Sequence, residues 1–264
     1  MNNIKNRFFC FLGIVMFVSA SYPFTYKQEK SLFPEETEKF LLTAEVVSIE
    51  KHLEIGRTNF WKVLLNDGKK ELKAIFKYVN RSRPSLFSDS YKYEIAAYKV
   101  NKILGINLVP PVVERKINGQ TGSLQIMIEN VLTERNRKIQ NIEPEKPDVF
   151  KNDIDTIKIF EILVNDQCND SEDILIQKDD WKVWRVDFSE AFSPSSDILL
   201  KCKIERCPKI LYTRLLELDE NELIMLLDSY LNEKEIHALL ERKQLIVKTI
   251  DELIKQNGEN QVLF

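Results

Sequence analysis

The sequence predicts an α+β fold of two lobes, a β-rich first lobe with one helix and a mostly α second lobe. Three observations carry this reading. Between Leu41 and Glu129, short apolar runs of strand length alternate with turn dipeptides and are broken by a single helical stretch. From Pro208 onward, apolar residues recur at helical spacing. Between these regions, Asp173 to Asp187 reads as a hairpin inserted among helices.

The elements follow in order. Leu41–Val47 reads as a strand and Phe60–Leu65 as a second. Asn66-Asp67-Gly68 turns the second into a third at Glu71–Val79, a hairpin signal between apolar runs. Asp89–Leu104 reads as a helix. Asp89 or Ser90 can cap it, Tyr91, Ile95, Tyr98 and Ile103 recur near helical spacing, and Gly105 stops it. Strands at Pro111–Ile117 and Ser123–Glu129 are joined by Asn118-Gly119. Residues 132–148 are charged, contain Pro144 and Pro147, and read as a mobile loop. A strongly apolar helix is expected over Asp148–Val164, then the hairpin, then helices at Ile210–Leu218, Asn221–Leu231 and Glu233–Lys255.

Composition narrows the function classes. The chain has 264 residues, 44% hydrophobic and 30% charged, enough for one large domain or two small lobes with a real core. Its 38 basic and 41 acidic residues are nearly balanced, which argues against a dedicated nucleic-acid surface. The N-terminus carries Lys5 and Arg7, an apolar run from Phe8 to Val18, and small residues at Val18-Ser19-Ala20. That is the pattern of a secretory signal peptide over residues 1–20, with an uncleaved membrane anchor as the alternative. Either places the rest of the protein outside the cytoplasm, secreted or periplasmic, with membrane contact only if the anchor is kept. Residues 21–37 read as a linker, 38–130 as the first lobe and 131–264 as the second. Cys202 and Cys207 could form a disulfide in an oxidising compartment, leaving Cys168 odd, or both could be unlinked structural cysteines.

Lys77 closes the third strand in Ala74-Ile75-Phe76-Lys77. Kinases carry a lysine in this setting, where its ammonium pairs with nucleotide phosphates and with a helix glutamate. Glu94 stands on an otherwise apolar helix face, Tyr93 to Tyr98, where an unpaired carboxylate would be costly. A Lys77–Glu94 ion pair accounts for both; a solvated lysine and an outward-facing glutamate are the alternative. The loop around Gly56 holds one glycine and could approach phosphate through its backbone, or be a plain hairpin loop. Asp173 and Asp187 sit at the two ends of one hairpin and can converge on a hard divalent cation, unless they are ordinary turn aspartates. Five residues before Asp173, where a catalytic base would stand, the chain has Cys168, which cannot accept an alcohol proton as a carboxylate does. Asp166 and Asp170 flank it, and Asp166 is the first candidate for a surrogate base.

Taken together, the chain resembles bacterial members of the atypical kinase superfamily that includes HipA-type kinases, phosphatidylinositol 3- and 4-kinases and secretory-pathway casein kinases. The resemblance runs from about Leu41 to Lys248. It rests on Lys73–Lys77, Asp89–Tyr98, Leu108–Arg115, Gly122–Gln125, Trp184–Phe192 and the tail Leu239–Arg242. It implies a bilobal protein-kinase-like fold, a Lys77–Glu94 nucleotide pair, a hinge near Glu129–Val131 and a metal on Asp187. The implied cofactor is ATP with Mg or Mn. Where the family reads Asn-x-Asp-Arg-x-x-x-Asn, this chain has Asp166-Gln167-Cys168-Asn169-Asp170-Ser171-Glu172-Asp173, so base, arginine and metal Asn are all replaced. The expected function is a secreted kinase-like protein that binds nucleotide with weak or no phosphotransfer. An active phosphotransferase with a displaced Asp, or a non-nucleotide scaffold, are the alternatives.

Overall fold

The computed structural model describes residues 34–52, 59–81, 88–166, 171–195 and 202–264. Gly56, Cys168 and Asp170, and the residues of the expected signal peptide, lie outside them. No helix among the described residues is long and apolar enough to cross a membrane.

The first lobe opens with helix α1 (Pro34–Thr43), which corrects two expectations: residues 34–37 are not linker, and Leu41–Thr43 end a helix instead of starting a strand. Proline suits a first helical turn, where its missing N–H has no partner in any case, and Glu35 and Glu36 add charge that favours a helix N-terminus. Thr37, Phe40, Leu41 and Ala44 then recur at helical spacing and are buried. Arg115 fixes the helix end, its guanidinium donating to the carbonyls of Leu41 at 2.7 Å and Ala44 at 2.6 Å.

Strand β1 is Glu45–His52, β2 Phe60–Asn66 and β3 Glu71–Lys77. Two short strands, β4 (Asn80–Arg81) and β5 (Asp89–Ser90), lead into helix α2 (Tyr91–Leu104), and β6 (Val112–Ile117) and β7 (Gln120–Ile126) follow. The five long strands form one antiparallel sheet in the order β1-β2-β3-β7-β6. Ser90 caps α2 by accepting from the Lys92 N–H, and Gly105 ends it at φ 64, a left-handed position that glycine takes without strain.

The second lobe begins with β8 (Val131–Thr133) and α3 (Glu134–Ile139), where a structureless loop was expected. Val131–Thr133 pair with Leu175–Gln177, and Thr133 caps α3, so backbone pairing and a cap order this charged stretch. Helix α4 (Pro147–Val164), the hairpin β9 (Ile174–Gln177) and β10 (Val183–Arg185), and helices α5 (Lys209–Glu217), α6 (Glu220–Leu227), α7 (Glu233–Asn257) and α8 (Glu259–Val262) complete it. One core cluster joins α2, α4, the segment after β10, and α5–α7; a second lies under the five-stranded sheet and includes Trp184. The two lobes therefore share buried side chains, and the hairpin sits between them.

Candidate functional site

Lys77 is the last residue of β3, and two neighbours hold it there. It pairs with Phe60 on one side and Ser123 on the other. Gly122 lies so close that a Cβ built on it would stand 2.2 Å from the Lys77 carbonyl, so only glycine lets β7 approach. The side chain leaves the sheet between the lobes. Its Nζ is 2.6 Å from Glu94 Oε1 on α2 and 2.6 Å from Asp187 Oδ1.

Glu94 is 2% exposed, on the apolar face of α2. Besides Lys77, its carboxylate accepts from the Phe188 N–H. Asp187 follows β10 with a left-handed backbone, φ 65, which turns its carboxylate toward Lys77. Its side chain is 45% exposed, so one face of the carboxylate is open to solvent. Ser189 Oγ donates to it at 3.3 Å, and the Ser189 carbonyl accepts from Ser90 N, tying the segment to the first lobe. Burial alone would lower the pKa of the Lys77 ammonium, but the Asp187 and Glu94 carboxylates outweigh it and raise it above the ordinary lysine value. Burial pushes Glu94 up despite Lys77. For Asp187 burial acts in the same upward sense, yet Lys77 dominates and brings its carboxyl down to about 2.

The hairpin delivers a second group. Val186 N donates to the Asp173 carbonyl, so Asp173 and Asp187 lie at the same end of the hairpin. Arg185, the last residue of β10, is 1% exposed, and carboxylates surround it. Its Nε donates to Glu161 Oε1 at 2.8 Å and its Nη2 to Asp166 Oδ2 at 2.5 Å, while Asp173 Oδ2 is 3.7 Å from Nη1. Burial would lower the pKa of this guanidinium; Asp166, Glu161 and Asp173 together raise it. Asp166, the candidate surrogate base, is thus 5% exposed and committed to an interior ion pair. Arg185 and Glu161 were not singled out from sequence. Their signal was there, as charged residues inside the apolar runs Val183–Phe188 and Ile157–Val164.

Glu129 stands apart from this group. Its carboxylate bonds Lys73 Nζ at 2.7 Å, at the other end of β3 from Lys77, with both side chains more than half exposed. Among the described residues, no group of three or more His, Cys, Asp or Glu is arranged to hold a metal. Asp173 and Asp187 offer carboxylate oxygens, the donor type that Mg or Mn takes, with phosphate oxygens needed to complete a shell. Cys202 is disulfide-bonded, whereas Cys207 is a free, buried thiol, so the Cys202–Cys207 pairing is not formed.

The two-lobed arrangement is similar to a known class. A crystal structure of the Helicobacter pylori proinflammatory kinase CtkA matches with a TM-score of 0.52 over 83% of this chain and 98% of that one, at 10% sequence identity. The fold is kinase-like. Two CtTel1 structures match more slightly, with TM-scores of 0.45 and 0.41 at 12% identity, over 79% of this chain and 12% of theirs. No protein-family model and no curated protein matches the sequence.

Proposed function

We propose that the site around Lys77, Glu94 and Asp187 binds ATP and that the protein is a nucleotide-binding pseudokinase or weak phosphotransferase. The carrying observation is the Lys77 ammonium held at 2.6 Å from both Glu94 and Asp187. Glu94 anchors the ammonium from below, and the open side of Asp187 leaves room for phosphates to draw on the same charge. Gly56, which lies outside the described residues, and Glu129 belong to the same reading as nucleotide-binding positions. Asp187, with Asp173 beside it, would hold Mg or Mn, which when bound neutralises phosphate charge.

The catalytic half is where the site is weak. Cys168 stands in the base position, and Asp166 could serve only by leaving Arg185. Breaking a buried ion pair costs about 3–5 kcal/mol. Loss of a positioned base slows transfer roughly 10²–10⁴-fold. This favours a pseudokinase over an active enzyme using Asp166. The protein is also proposed to work outside the cytoplasm. The disulfide at Cys202 supports an oxidising compartment.

A thermal-shift titration with ATP, with and without Mg²⁺ or Mn²⁺, tests the binding claim, since a ligand specific to the folded state raises Tm in proportion to ln(1 + [L]/Kd). No shift under any condition would retire it in favour of a non-nucleotide scaffold. Phosphotransfer from labelled ATP that disappears in Asp166→Ala would overturn the pseudokinase half and leave the binding half standing.

A further inference from the structure

Two buried ionisable side chains on α7, Glu235 and Arg242, stand seven residues apart. That is close to two helical turns, so they lie on one face. Glu235 accepts from Tyr93 Oη at 2.6 Å, and its other oxygen accepts from Asn232 N at 2.8 Å. Tyr93 is the residue before Glu94 on α2. Arg242 is 0% exposed. Its Nε donates to the Leu163 carbonyl at 2.9 Å, and its Nη1 to the carbonyls of Ser193, at 3.2 Å, and Ser195. Leu163 lies in the last turn of α4, which leads to Asp166. Ser193 and Ser195 follow Asp187 by six and eight residues.

A guanidinium in this position is expensive. Burial brings its pKa down to about 10, and among the described residues Nη2 has no hydrogen-bond partner and the other nitrogens bond carbonyls. An apolar side chain would fill the space at lower cost but could not bond two chain segments at once. One of those segments needs holding. Phe192, fully buried beside Ser193, has φ 59, a region unfavourable for a bulky residue, and donates its N–H to the Val164 carbonyl at 2.7 Å.

We propose that α7 is the brace of the nucleotide site, with Glu235 and Arg242 as positioning residues. Glu235 fixes the helix that carries Glu94, through Tyr93. Arg242 fixes the segment that carries Asp187 to the end of α4. The spacing that Lys77 spans is set by the two turns of α7 between them, and the site is formed before any ligand arrives. The affinity consequences of this brace rest on the nucleotide-binding reading; its structural consequences do not.

The test combines hydrogen exchange with ATP affinity for the full chain and for Arg242→Lys, Arg242→Met, Tyr93→Phe and a control on the same helix, Lys243→Met. Arg242→Lys is expected to speed exchange across residues 188–195 about tenfold or more while α7's own amides stay within about twofold. It should weaken ATP binding in Mg²⁺ about tenfold and metal-free binding much less, because Lys77 keeps Glu94. Tyr93→Phe should speed exchange in the first turns of α2 and weaken both forms alike. Lys243→Met should do neither. Should Arg242→Met fail to fold, Arg242→Lys and Tyr93→Phe still decide. Wild-type exchange rates in residues 188–195 of Arg242→Lys, or lowered Tm with unchanged affinity in both variants, would overturn the brace. If the wild-type chain binds no ATP, the nucleotide reading fails alone and the exchange measurements judge the brace.

Discussion

Lys77 Nζ reaches Asp187 Oδ1 at 2.6 Å, a bond between the first lobe's sheet and the segment that follows the second lobe's hairpin. Together with Glu94, this one ammonium answers two carboxylates from two different elements. Lys77→Met strands a carboxylate that is 3% exposed at Glu94. Removing one partner of such a buried pair should cost about 3–5 kcal/mol. Lys77→Met with Glu94→Gln should recover a large part of it. A denaturant double-mutant cycle measures the coupling; a double-variant loss equal to the sum of the two single losses would mean the pair is not a unit.

Asp187 sets the acid limb of stability. Burial opposes its ionisation, but Lys77 wins, and the folded carboxyl titrates at about 2, below an ordinary aspartate near 3.8. A depressed folded pKa gives stability that is fully present above the unfolded value and is lost as pH falls through the folded one. The contribution should therefore fade between about pH 4 and pH 2. Asp187→Asn should show a flatter stability profile in that window than the parent chain, by urea denaturation at stepped pH.

Gly122 is the steric gate to Lys77. A Cβ there would lie 2.2 Å from the Lys77 carbonyl and 2.8 Å from the Phe76 ring. Its φ is ordinary, so the penalty of Gly122→Ala is the clash alone, of order 1–3 kcal/mol for overpacking. Stability loss should come with weaker ATP binding, since β3 has to shift at Lys77. Substituting Ala at Gly119, where a Cβ meets nothing but φ is 81, should cost stability without touching affinity.

The cysteines give a chemical test. Burial pushes the Cys207 thiol up to about 12, so at pH 8 it should resist alkylation in the folded protein and react once denatured. Non-reducing peptide mapping should find Cys202 cross-linked and Cys207 unlinked. A Cys202–Cys207 peptide would contradict the structure directly.

Much of this was legible in the sequence, for identifiable reasons. The hairpin turns, the Ser90 cap and the Gly105 stop are local signals, and local structure follows them. Lys77 and Glu94 were readable as a pair because a carboxylate on an apolar helix face needs a partner. What was missed depended on tertiary context. Residues 132–148 look like a charged loop until β9 supplies a strand for the start of this stretch to pair with. Leu41–Thr43 looks like strand because the acidic first turn after Pro34 was assigned to a linker. Asp166 reads as a free acid in sequence, and only the fold brings Arg185, nineteen residues on, to bind it.

The central claim is that Lys77, Glu94 and Asp187 form a ligand site for ATP phosphates. Calorimetric titration of Mg·ATP into the full chain and into Lys77→Met tests it most directly. Binding to the parent chain should be saturable, with affinity at least about tenfold weaker in Lys77→Met. Equal affinity in the two proteins would contradict it, because the nucleotide would then be bound somewhere other than between Lys77 and Asp187.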